Sequence, residues 1–238
     1  MILSKGKVIL IPCTLGDVNP LEVLPQSNTY FINSCDIFIV ENLRSARRFL
    51  KKIGLQKAID NLLFFEINKR TKKEDILRFL STLSEGENIG VLSEAGCPGV
   101  ADPGAEVVKW AHRKNIQVIP LTGPSSILLA LMASGMNGQN FAFIGYLPKA
   151  KTDRRRKIKQ IEQYSKTHKQ TQIFIETPFR NNHLLDDLQN YCDKDTQIVV
   201  ACDLTLPTQY IKRLSANDWK KHKVDLHKRP CIFILHKY

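Results

Sequence analysis

The stretch Val91-Leu92-Ser93-Glu94-Ala95-Gly96-Cys97-Pro98-Gly99-Val100-Ala101-Asp102-Pro103-Gly104 changes character twice. An apolar run, Ile89 to Leu92, stops at small residues, prolines and glycines, and an amphipathic run, Ala105 to His112, follows. Strand, Gly-rich turn and helix in that order is the layout of a ligand loop at the carboxyl edge of a parallel sheet. Asp102 stands where an N-cap belongs and Pro103 where the first helical residue does. The glycines let backbone approach a ligand with no Cβ in the way. The stretch has neither the G-x-G-x-x-G spacing of a dinucleotide fingerprint nor the Lys-Ser/Thr pair of a Walker loop. Taken alone, it leaves a binding loop and a purely structural turn both open.

Working outward, buried-strand patterns recur at Val8 to Ile11, Asp36 to Val40, Leu62 to Ile67, Ile89 to Leu92 and Ile116 to Pro120. Between them lie helical patterns: a broken one from Leu21 to Ser34, a basic one from Arg44 to Ile53, and one from Thr71 to Ser84 with Ile76, Leu77, Leu80 and Leu83 on one side. This alternation predicts an N-terminal α/β domain over 1–121, a mostly parallel sheet with helices on both faces. Its ligand site belongs beyond the strands' carboxyl ends, where Leu15-Gly16-Asp17, Glu41-Asn42 and the central loop lie.

From 122 to 238 the pattern is less regular. An apolar helix, Ile127 to Met136, closes at Gly138. Strands are expected at Phe141 to Leu147, Gln172 to Ile175, Ile198 to Cys202, Gln209 to Leu214 and Cys231 to Leu235, with helices at Thr152 to Tyr164, Asn181 to Tyr191 and around Trp219. Short links between strands predict a mixed, partly antiparallel sheet in a C-terminal α/β domain.

The chain has 238 residues and a formal charge of +12. No run approaches the ~20 apolar residues of a membrane span, and Met1 to Lys7 leads into a strand without the apolar core and cleavage site of a signal peptide. A soluble, cytoplasmic protein is the expectation. The cysteines (Cys13, Cys35, Cys97, Cys192, Cys202, Cys231) are scattered without a C-x-x-C pair, which argues against zinc and disulfide frameworks. Cys97, in the central loop, is the thiol to test for reactivity. Lys149 to Lys159 is a dense basic block containing Arg154, Arg155 and Arg156, suited to a phosphate backbone or simply to solubility. It has no interleaved aromatics for base stacking.

Ser93 to Gly104, then Val118-Ile119-Pro120-Leu121-Thr122-Gly123-Pro124-Ser125-Ser126, then Phe143-Ile144-Gly145-Tyr146-Leu147-Pro148-Lys149 together resemble the tetrapyrrole methylase superfamily. Within it, the likeness is to the bacterial methyltransferases that modify the 2′-hydroxyl of a cytidine in small-subunit ribosomal RNA. Pro12 to Asp17 is similar to the family's first turn, and Glu176-Thr177-Pro178-Phe179-Arg180 to its Glu-Ser/Thr-x-x-Arg strand exit. The resemblance implies two α/β domains with S-adenosylmethionine in the cleft between them, and a homodimer. It maps donor contacts onto Leu15, Gly16, Ala95, Gly96, Pro98, Val100, Ala101, Ser125 and Ser126. The chain departs from the ribosomal RNA enzymes at Glu94 and Cys97, where theirs reads Ser-Asp-Ala-Gly-Thr-Pro, and at Asn42 and Leu43, where theirs reads Glu-Asp-Thr-Arg.

Methyl transfer to a hydroxyl needs alignment and gains from a general base. The candidates are Glu94, Glu176 and Asp17, each of which can instead be a structural carboxylate bonded to turn amides. Arg44, Arg180 and the Arg154 to Arg156 cluster are candidate grips on substrate phosphates, whereas Arg47 and Arg48 read as a solvated helix face. No His-x-x-x-His pattern or acidic cluster suggests a metal. Three readings stand: a methyltransferase acting on RNA or another anionic substrate, a catalytically weak RNA- or ribosome-binding relative, and a methylase of a small tetrapyrrole.

Overall fold

The computed structural model describes residues 6–68, 70–81 and 86–238. The chain divides into two compact units between Ser125 and Ser126.

The N-terminal unit runs β1 (Lys7–Ile11), α1 (Asn28–Asn33), β2 (Ile37–Val40), α2 (Leu43–Lys52), β3 (Leu63–Glu66), α3 (Lys73–Ser81), β4 (Ile89–Leu92), α4 (Gly104–Arg113) and β5 (Gln117–Pro120). The strands order as β3-β2-β4-β1-β5, and every pairing is parallel. A parallel sheet is covered on both faces, so its strands carry apolar side chains in both directions. Ile9, Ile11, Phe38 and Val40 face one way, into a core with Ala46, Phe49 and Leu50 of α2 and Ile32 of α1. Val8, Ile37, Ile39 and Val91 face the other, against Ile76 and Leu80 of α3 and Val107 and Ala111 of α4. The expected α3 apolar stripe holds at Ile76 and Leu80; Leu83 lies outside the described residues. Because β2, β4 and β1 are neighbours in the sheet, their carboxyl ends deliver Glu41, Ser93 and Pro12 to one edge.

The C-terminal unit runs α5 (Ser126–Ser134), β6 (Phe141–Tyr146), α6 (Lys151–His168), β7 (Thr171–Ile175), α7 (Asn181–Tyr191), β8 (Gln197–Cys202), β9 (Tyr210–Ser215), α8 (Ala216–Trp219) and β10 (Cys231–His236). Its sheet orders as β6-β7-β10-β8-β9, with β6 and β7 parallel and the remaining pairs antiparallel. Ile158, Ile161, Leu184, Leu185 and Leu188 from α6 and α7 pack with Phe174, Val200, Phe233 and Trp219. The Trp219 indole N–H is buried and donates to the Ile198 carbonyl at 3.0 Å. Both sheets match the α/β architecture read from the sequence.

Two expectations are corrected. The apolar helix ends at Ser134 rather than Met136, because Gly135, not Gly138, takes the left-handed conformation (φ 62°) that terminates it. Cys202 and Cys231 are joined as a disulfide. They occupy directly opposed positions in the antiparallel β8–β10 ladder, with Cα atoms 4.2 Å apart. That register is invisible in the spacing of the cysteines along the chain.

β4 leaves no room for a side chain at Gly90. A Cβ there meets Phe38 Cδ1 at 2.7 Å and Ile11 Cδ1 at 2.8 Å. Gly90→Ala is therefore expected to destabilise the protein by about 1–3 kcal/mol through overpacking, read as a lowered midpoint in urea denaturation with the m-value unchanged.

Candidate active site

The first turn and the central loop are stitched together. Cys13 and Gly96 exchange two backbone hydrogen bonds, Cys13 N–H to the Gly96 carbonyl at 2.9 Å and Gly96 N–H to the Cys13 carbonyl at 3.2 Å. Gly96 adopts φ 71°, and a Cβ there would press on Leu15 Cδ2 at 3.3 Å. Glycine is required by both the conformation and the approach. The buried Ser93 hydroxyl lies 3.2 Å from both the Ala95 and Gly96 carbonyls. Leu15, Gly16, Ala95 and Gly96 are thereby gathered at one edge. Pro98 is buried in the same loop, while Val100 and Ala101 are exposed. Ala101 holds φ 63°, a left-handed conformation that costs a non-glycine residue. Ser125 closes the N-terminal unit and Ser126 opens α5.

Asp102 does the work of a cap from one position further out than expected. Helix α4 begins at Gly104 with Pro103 at the cap position, and both Asp102 carboxylate oxygens accept the Gly99 N–H at 2.9 Å while Oδ1 also takes Gly104 N–H at 2.7 Å. Burial pushes this carboxyl above its ordinary range, against the opposing pull of the Gly99, Gly104 and Val100 amides. The Cys97 thiol is likewise raised, by burial first and then by the Asp102 charge. It is therefore not an activated nucleophile.

Glu94 leaves β4 exposed, its N–H donating to Glu41 Oε2 at 2.8 Å. Its carboxylate accepts the Ser45 hydroxyl from α2. Helix α2 starts there because the Asn42 side chain caps it, Oδ1 accepting from Arg44 N–H at 2.9 Å and Ser45 N–H at 3.2 Å. Asparagine and aspartate cap equally well, so this departure from the Glu-Asp-Thr-Arg pattern keeps the helix start intact. Glu94, Ser45, Arg48 and Lys52 line one cavity of about 200 Å³ with Cys13, Thr14, Gly16, Asp17 and the apolar Val18, Pro20 and Phe49. Burial, reinforced by Glu94 and Glu41, pushes the Cys13 thiol strongly upward, so that wall is neutral. Asp17, mostly exposed, pairs with Lys52 at 2.5 Å. That hydrogen bond and charge hold its carboxyl below the ordinary range, which makes Asp17 a poor proton acceptor. Arg44 is exposed near the start of α2, and the Arg47 guanidinium lies over the Phe64 ring, 5.3 Å from its centroid.

The remaining candidates sit in the C-terminal unit. Glu176 is 6% exposed. Its Oε1 accepts from Thr177 N–H at 2.6 Å and from Arg180 at 2.5 Å, the structural carboxylate of the alternative reading. Arg154 does not reach solvent as expected. Its Nε is 2.6 Å from Asp187 Oδ2 and its Nη1 2.6 Å from the Lys149 carbonyl, because its place on α6 turns it toward α7. Arg155, 5.3 Å over the Tyr191 ring, and Arg156, paired with Asp153, remain on the exposed face. Among the described residues, the buried side-chain atoms without a hydrogen-bond partner are Arg180 Nε, Asn181 Oδ1 and Thr205 Oγ1, at or just beyond the exits of β7 and β8. Thr205 also holds φ 71°. Unmet buried polar groups and strain of this kind mark places where a ligand completes the bonding.

The profile of the Tetrapyrrole (Corrin/Porphyrin) Methylases matches residues 30–218. The chain belongs to that family. It is 32% identical to "Ribosomal RNA small subunit methyltransferase I" of Halalkalibacterium halodurans over 185 residues, 78% of this chain and 60% of the relative. It is 28% identical to the protein of the same name from Escherichia coli O157:H7, over 85% of this chain and 66% of that one. The chain thus spans less than two thirds of either. In fold it is similar to uroporphyrin-III C-methyl transferase from Thermus thermophilus, crystallised with S-adenyl homocysteine, at a TM-score of 0.58 and 17% identity, covering 98% of both chains. Among the described residues no helix is long and apolar enough to cross a membrane, and no group of three or more His, Cys, Asp or Glu is placed to hold a metal.

Sequence reading missed Ser45, Arg48 and Lys52. Their spacing along an amphipathic helix was available as a signal, but not the turn that faces them. Asp102→Ala removes the acceptor for the Gly99 and Gly104 amides and is expected to cost about 0.5–2 kcal/mol. Asp102→Asn, which keeps one acceptor, should cost less. Thermal unfolding of both variants checks the order.

Proposed function

We propose that this chain is an S-adenosylmethionine-dependent methyltransferase whose acceptor is a ribose hydroxyl of ribosomal RNA. The observation that carries the reading is the backbone-stitched pair of loops, Leu15-Gly16 against Ala95-Gly96, in a member of the tetrapyrrole methylase family. Relatives named as small-subunit ribosomal RNA methyltransferases support the acceptor. Bound S-adenosylmethionine supplies a methyl group on a sulfonium, a good leaving group. The chain's task is then chiefly alignment. Leu15, Gly16, Ala95, Gly96, Pro98, Val100 and Ala101 offer close backbone approach, and Ser125 and Ser126 offer donors to a carboxylate.

Glu94 accepts the proton of the acceptor hydroxyl as its oxygen bonds to the methyl carbon and the carbon–sulfur bond breaks. Ser45 fixes that carboxylate's orientation. Arg180, with one N–H unmet, together with Arg44, Arg155 and Arg156, faces the anionic ligand. The polyanion favoured by the exposed basic face of α6 ranks above a small tetrapyrrole. We place the activity in the cytoplasm, in a homodimer of the kind the family resemblance implies.

Calorimetry with S-adenosylhomocysteine and transfer of labelled methyl groups from S-adenosylmethionine to unmodified small-subunit RNA test the reading. Uptake of both is expected, and a chain that binds no donor is not a methyltransferase. Glu94→Gln should lower kcat by about 10²–10⁴-fold with donor affinity little changed. Neutralising Arg155 and Arg156 together should flatten the salt dependence of RNA binding, by a log–log slope of about 1.4 on single strands.

A further inference from the structure

Three side chains of α2, Ser45, Arg48 and Lys52, line the cavity at the edge of the N-terminal sheet. Positions spaced by three and four fall on one helix face. At 1.5 Å per residue, this wall runs on the order of 10 Å from Ser45 to Lys52, about the length of a nucleotide with the phosphates flanking its sugar. Its ends differ in chemistry. At one end the Ser45 hydroxyl meets the Glu94 carboxylate; at the other, Arg48 and Lys52 supply cations. Pro20, Val18 and Phe49 provide an apolar floor between them. Asp17, on the first turn, sits against Lys52 at 2.5 Å with its own side chain 83% exposed. An exposed ion pair of this sort is weak and readily exchanged.

We propose that Arg48 and Lys52 form the phosphate seat that positions the acceptor nucleotide, and that Asp17 occupies this seat until a substrate phosphate displaces it. The proposal rests on the RNA-methyltransferase reading and names how that site grips its substrate. A phosphate held at Arg48 and Lys52 places the neighbouring ribose toward Ser45 and Glu94. Charge then favours exchange, because a phosphodiester can meet both cations at once, whereas Asp17 bonds Lys52 alone among the hydrogen bonds and ion pairs of the described residues. Asp17 thereby acts as a placeholder, and its removal should strengthen substrate binding. A catalytic carboxylate would behave in the opposite way.

The test measures binding of a short fluorescein-labelled single-stranded RNA across a potassium chloride series, together with steady-state methylation of unmodified small-subunit RNA. Asp17→Asn is expected to tighten RNA binding about two- to fivefold, the scale of a surface ion pair, with KM for RNA falling and kcat held. Arg48→Gln with Lys52→Gln should raise KM for RNA and reduce the log–log salt slope by about 1.4, while S-adenosylhomocysteine affinity stays at the unaltered level. Matching thermal unfolding curves keep the comparison among folded proteins, and the single variant Lys52→Gln substitutes if the double variant melts early. RNA affinity unchanged or weakened in Asp17→Asn, or a salt slope unmoved in the double variant, overturns this inference alone if the unaltered protein methylates RNA. An unaltered protein that neither binds nor methylates RNA overturns the functional reading and the seat together.

Discussion

The two hydrogen bonds between Cys13 and Gly96 are the constraint on which the N-terminal site depends. β1 and β4 are adjacent parallel strands, and without a further tie their exits would diverge as loops of independent conformation. The reciprocal pair at 2.9 and 3.2 Å continues the sheet's bonding one step past its edge. It brings the first turn within van der Waals reach of the central loop. Gly96 is the residue that permits this, because it takes a left-handed φ and has Leu15 where a side chain would go. Everything placed at that edge, from the backbone of Gly16 to the carboxylate of Glu94, is located relative to this tie.

Helix α2 supplies the second fixed point. Its apolar face, Ala46, Phe49 and Leu50, is committed to the core, which leaves Ser45, Arg48 and Lys52 facing the first turn across the cavity. The C-terminal unit uses its charged residues differently. Arg154 and Asp187 spend their charges on each other beneath α6. Glu176 is consumed by its own turn and Arg180. Breaking a buried pair of the Arg154 kind strands the partner's charge, so residues that look like an RNA-binding cluster on paper are in part internal fasteners.

Much of the fold was legible because parallel strands buried on both faces read as unbroken apolar runs: Ile37 to Val40 and Ile89 to Leu92 have no other plausible fate. The central loop was legible for the same reason, since Gly and Pro punctuate an abrupt change of period. Side-chain roles were less so. Arg154, Arg155 and Arg156 are indistinguishable in a list, and only helical phase against a neighbouring helix separates the buried one from its exposed companions. The Cys202–Cys231 bridge depends on a ladder register joining residues far apart in the chain. Asp17 and Lys52 meet only because α2 lies over the first turn, and Asp17 then loses the basicity that its position at a strand exit suggested.

The cap at the start of α2 bears on the charge of the cavity mouth. The aligned peptide units of a helix leave roughly half a positive elementary charge at its first turn. An aspartate at position 42 would cap the same amides and largely cancel that field. Asn42 caps them with a neutral amide, so the field beside Ser45 and Glu94 persists. Peptide dipoles carry no exchangeable proton. The attraction for anions at this rim therefore keeps its sign from acid to alkali, whatever the ionisation of the side chains around it.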